Sequence, residues 1–127
     1  MKLEFLESGS PDCPLIRLYG FDTATAVRLM TLFRTLADGS QQHIRLHDQP
    51  GVEAVQGCEL ELRLGNRDCG IEQTGPTTFV CVLTSEGWGE VAELTEPFCE
   101  AGNVGEHYQW LNEDGKVSLL LSPTGRW

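Results

Sequence analysis

Residues 58–64 read Cys-Glu-Leu-Glu-Leu-Arg-Leu (CELELRL), and their strict alternation decides the fold class. Cys58, Leu60, Leu62 and Leu64 make one face, and Glu59, Glu61 and Arg63 make the other. A period of two describes a strand with one buried side and one wet side, which favours antiparallel pairing. Upstream, residues 41–47 (QQHIRLH) repeat the pattern, with Gln42, Ile44 and Leu46 inward and His43, Arg45 and His47 outward. The connecting DQPGVEAVQG breaks at Pro50-Gly51. A hairpin centred near Glu53 sets His47 opposite Glu59, Arg45 opposite Glu61, and His43 opposite Arg63, so two of the three pairs join opposite or potentially opposite charges.

The same register decides how HIRLHD (residues 43–48) reads. On a helix, His43 and His47 would stand about 5.4 Å apart along one face and share a metal. On a strand the separation is about 13 Å, and Asp48 points away from His47. Only His47 with Glu59 is left as a pair, so the expectation is a solvated strand face and no metal site.

Working outward, residues 3–6 and 15–19 (LIRLY) read as strands around a Pro/Gly/Ser turn. Asp22 is placed to cap a helix that closes at Gly39. Ala26, Leu29, Met30, Phe33, Leu36 and Ala37 share its inner face at helical period. Beyond Gly65-Asn66, Gly70, Gly75 and Pro76 mark an irregular connection or a short extra strand. TTFVCVL (77–83) is apolar on both faces, Phe79, Cys81 and Leu83 against Val80 and Val82, as a central strand covered twice would be. A second helix follows, with Ser85 as its cap and Pro97 at its end. Its apolar face holds Trp88, Val91, Ala92, Leu94 and Phe98, and Glu86, Glu90, Glu93 and Glu96 line the other. HYQWL and KVSLLLS form a last hairpin around Asn112–Gly115, followed by a turn and Trp127. The expected architecture is a single α+β domain over residues 1–127. It would be a two-layer sandwich, with a largely antiparallel sheet of five to seven strands and two helices on one face.

A chain of 127 residues is large enough to bury a core without staples. Five cysteines, at 13, 58, 69, 81 and 99, form no C-x-x-C pair and are odd in number, which points to reduced, structural thiols. Acids at positions 4 and 7 interrupt the first apolar residues, and no apolar run approaches a membrane span. A cytoplasmic location is expected. The net charge of −10 disfavours nucleic acid and anionic membrane as partners and suits a basic protein.

Motifs for phosphate, dinucleotide, hydrolase or metalloprotease chemistry are missing from the sequence, so no cofactor, metal or catalytic residue is assigned. The chain leans away from being an enzyme. Cys69, in the turn Arg67-Asp68-Cys69-Gly70, is the one reactive-thiol candidate, although Asp68 works against activation by Arg67. Alternation puts Tyr108 and Trp110 on one strand face and His107 and Gln109 on the other. With Trp88 of the second helix, Tyr108, Trp110 and His107 are candidates for a ligand pocket or an interface. Val80, Val82 and Leu120 are candidates for a homodimer face, with the tail around Trp127 as the competing cover. The functional expectation is a small cytoplasmic domain that works by protein–protein binding or self-association. The alternative is a small-molecule-binding domain or enzyme with a pocket near Tyr108, Trp110 and the second helix.

Overall fold

Alternation and helical period become strands and helices in a computed structural model that describes residues 1–100 and 107–127. Glu106, one of the acids in the C-terminal half, lies outside the described residues. β1 (Lys2–Leu6) and β2 (Leu15–Tyr19) lead into α1 (Thr23–Ala37), β3 (His43–Arg45), β4 (Glu53–Ala54) and β5 (Glu59–Leu64). β6 (Gly70–Gln73), β7 (Thr78–Leu83), α2 (Ser85–Thr95), β8 (Gln109–Asn112) and β9 (Ser118–Ser122) complete the order.

The fold is α+β and its pairing is mostly antiparallel. The strands divide between two sheets, ordered β4-β1-β2-β9-β8 and β3-β5-β7-β6, where the sequence reading drew one sheet. Parallel ladders make the difference, since β9 inserts beside β2 and β5 lies parallel to β7. Period-two alternation reports which face is buried; it does not report the direction of the neighbouring strand. The β3–β5 register is the expected one, with His43 opposite Arg63, Ile44 opposite Leu62 and Arg45 opposite Glu61. The short extra strand suspected near Gly70 is β6, antiparallel to β7.

Asp22 caps α1 by accepting from the Thr25 N–H at 2.9 Å, and Gly39, at φ 81°, ends it. Ala26, Leu29, Phe33 and Leu36 are its buried stripe. α2 is capped by Thr84, whose hydroxyl accepts from the Gly87 N–H at 3.1 Å, and not by Ser85. The Ser85 hydroxyl instead donates to the Ala37 carbonyl, which ties the start of α2 to the end of α1. Between the helices Trp88 stacks on Phe33, with centroids 5.8 Å apart and planes 14° from parallel. One core joins Leu3, Ile16, Leu18, Leu119 and Leu121 of the first sheet to Leu60, Leu62, Phe79 and Cys81 of the second. Phe5 and Phe79 meet across the two sheets at 4.6 Å.

The outer faces correct one grouping. Val80 and Val82 belong to the four-stranded sheet and Leu120 to the five-stranded one, so they do not form a common patch. Val80 lies between Glu61 and Glu72, while Val82 has Arg63 on one side and Gly70 on the other, and both valines are half-buried. Leu120 is 0% exposed within the single chain. The tail folds back over its face: Arg17 Nη1 donates to the Gly125 carbonyl at 2.7 Å, and Ser122 Oγ to the Arg126 carbonyl at 2.6 Å. Among the described residues no helix is long and apolar enough to cross a membrane.

Candidate functional site

β8 alternates as its sequence requires, and the two faces open onto different hollows. Tyr108 and Trp110 face a cleft of about 630 Å³ that is completed by Ser10, Pro11, Asp12, Arg126 and Trp127. On the other side His107 and Gln109 line a smaller hollow of about 290 Å³ with Pro97 and Phe98, and Tyr108 stands at the corner of both. Tyr108 is 47% exposed, unusual for so large a ring. The cleft wall is held from behind. Trp110 sits opposite the buried Leu120, and Trp127 Nε1 donates to Asp12 Oδ2 at 3.0 Å, pinning the tail to the β1–β2 turn. A bulge between Trp110 and Asn112 shifts the ladder, which resumes with Asn112 opposite Leu119, and Asn112 closes the turn by accepting from the Asp114 N–H at 3.0 Å. Rings of this kind offer apolar area at little entropic cost, which suits binding more than bond-making.

Trp88 leaves the candidate set. It is fully buried in the core, and its Nε1 donates to the Arg63 carbonyl at 2.9 Å. The hollow beside the second helix belongs instead to Pro97 and Phe98, just past the end of α2. Sequence reasoning missed Trp127 and the Ser10–Asp12 turn as cleft residues. They lie more than a hundred positions apart and meet only because β9 is inserted beside β2.

His47 is less exposed than a wet strand face would leave it, because the chain turns into a 3-10 helix at Leu46–Asp48. Its side chain is only 8% exposed, and Nδ1 accepts from the Leu60 N–H at 3.0 Å. The hydrogen of the neutral ring therefore sits on Nε2. That atom is 3.3 Å from Glu59 Oε1 and 3.8 Å from Asp48 Oδ1, and aligned with neither for a hydrogen bond. His47 and Glu59 are thus neighbours, but through the 3-10 turn and not as the expected strand pair, because β3 ends at Arg45. Nearby, the guanidinium of Arg63 at 2.8 Å holds the Glu61 carboxyl below the usual carboxylate range. Among the described residues no three His, Cys, Asp or Glu side chains gather as metal ligands would.

Cys69 is half-buried beside a hollow shared with Pro14, Glu72, Asp114 and Lys116, and its N–H donates to the Val82 carbonyl at 2.9 Å. Asp68 points elsewhere, accepting from both the N–H and the hydroxyl of Thr84 at 2.9 Å. The turn thereby serves the start of α2. Burial pushes the Cys58 thiol up to about 11, with help from Glu4 and Glu59, and burial also raises Cys81. Thiols so protonated are packing groups. No protein-family model, curated protein or solved structure matches this chain.

Proposed function

We propose that this chain is a small cytoplasmic, non-enzymatic domain that acts by binding another protein, at the cleft walled by Tyr108, Trp110 and Trp127. One observation carries the reading: three large aromatic side chains converge on an open cleft at the sheet edge, one of them nearly half exposed. Core packing does not require that exposure, whereas anchoring a partner does. The charge of −10 supports a basic partner and disfavours nucleic acid. Five unpaired thiols support a reducing compartment. Self-association is the competing mode of binding. Its motive from the sequence has weakened, because Leu120 is covered by the tail and the two valines, on the other sheet, are half-buried, Val80 between two glutamates.

Selection of a random displayed-peptide library on the immobilised protein tests the reading. Enriched peptides should lose at least about tenfold in affinity for Tyr108→Ala or Trp110→Ala, as anchor truncations do. Peptides that bind the variants as well as they bind the parent, with circular dichroism unchanged, would place function elsewhere.

A further inference from the structure

We propose that the partner docks as an extended strand added to the free edge of β8, with an apolar centre and Lys or Arg at its ends; this rests on the cleft being the binding site. β8 is the last strand of the five-stranded sheet, paired with β9 on one side and with nothing among the described residues on the other. Such an edge presents unpaired N–H and C=O groups that template another strand. The protections proteins use on exposed edges, namely charge and proline, are missing from its sequence, Gln-Trp-Leu-Asn. Its remaining devices are shortness, the bulge beyond Trp110 and the packing of α2 against the strand. The Trp110 carbonyl accepts from the Gln109 side-chain amide at 3.0 Å, a local bond that an incoming backbone N–H can replace.

The hollows on the two sides of β8 decide the shape of the occupant. Side chains of an extended segment alternate between faces, so a strand laid along β8 sends one set toward Tyr108, Trp110 and Trp127 and the other toward Pro97 and Phe98. A globular knob or a helix would use one hollow and leave the other empty. Charge decides the ends. Along the chain Glu96 and Glu100 flank Pro97 and Phe98, which line one hollow, and Glu113 and Asp114 follow β8 directly. Arg126 and Asp12 both line the outer cleft, Lys116 lines a hollow with Asp114, and Arg34 lies 3.8 Å from Glu96, so the acids remain in excess. A second copy presenting the same β8 edge would bring the same acids to that site, so the occupant is a basic segment of a different protein.

The test uses a peptide from the library selection, a version N-methylated at alternate backbone nitrogens, and a version with its terminal Lys and Arg changed to Glu. Expected are slowed amide exchange at Gln109–Asn112 on binding and a loss of about tenfold or more for each altered peptide. An N-methylated peptide that binds as tightly as its parent, while still shifting the Trp110 and Trp127 indole signals, would overturn strand addition and leave the cleft reading intact. Failure to enrich any peptide would defeat both. Sedimentation showing a peptide-free dimer with the β8 amides already protected would give the edge to a second copy and overturn the proposal.

Discussion

At His47 an imidazole ring takes the place of a strand. β3 stops pairing after Arg45, and the Leu60 N–H would be orphaned there without the Nδ1 acceptor at 3.0 Å. His47→Phe keeps much of the volume and removes that acceptor, so it should destabilise by about 1–3 kcal/mol. His43→Ala, on the exposed side of the same strand, should stay within about 0.5 kcal/mol. Urea unfolding of both variants measures the contrast, and equal midpoints would make the ring incidental. A second residue-scale expectation concerns the thiols. Cys58 is raised in the folded state, so the stability it contributes is complete below its ordinary value of 9.0 and fades as pH climbs toward about 11. Cys58→Ala should therefore show a flatter loss of stability across that alkaline window than the parent does. Iodoacetamide at neutral pH should label Cys13, Cys69 and Cys99 well before Cys58 and Cys81.

Elements begin at their caps, and the two helices test how locally that information is written. Asp22 precedes a clean apolar stripe, and reading it as the cap needed only three residues of context. At α2 the sequence pointed to Ser85, and the cap is its neighbour Thr84. Distant contacts account for the shift, since Ser85 engages the Ala37 carbonyl and Asp68 accepts from Thr84. Thr84→Ala should cost about 1–2 kcal/mol in thermal or urea unfolding, since it removes a cap and one of the two donors to Asp68. For Asp22, the Thr25 N–H holds the carboxyl below its ordinary value, so the stabilisation is present above the unfolded-state value and is lost as pH falls through the folded one. Asp22→Asn should keep the cap and flatten the acid limb of the stability profile; an unchanged limb would remove Asp22 from the acid transition. The same division between local and distant information explains what was legible. The β3–β5 register, the inner stripe of α1 and the faces of Tyr108 and Trp110 follow from spacing within one or two elements. The parallel β2–β9 and β5–β7 ladders depend on chain reversals that leave no period, so the second sheet and the place of Trp127 in the cleft could not be read.

For the whole molecule, the question is how two sheets share one core while β8 keeps a free edge. Backbone joins backbone between the sheets where β6 runs past the turn between β8 and β9, at the bridge from Ile71 to Val117. Two glycines make that approach possible. A Cβ on Gly115 would overlap the backbone of Ile71, and one on Gly70 would overlap the backbone of Gly115, with Gly70 also held at φ 73°. Rigid backbone opposes both methyls, so neither can be relieved by a side-chain rotation. Gly115→Ala should cost about 1–3 kcal/mol by overpacking. Gly70→Ala should cost more, because it adds left-handed strain of about 1 kcal/mol or above. The turn carrying Gly115 also fixes where β8 leaves the sheet, so a shifted junction moves Tyr108 and Trp110 with it. Gly115→Ala should therefore weaken binding of a cleft-selected peptide even at temperatures where circular dichroism shows the chain folded. A variant with the parent's unfolding midpoint and peptide affinity would mean that the sheets are held together by Phe5 and Phe79 and the shared core alone, with the glycine contact merely permitted by that packing.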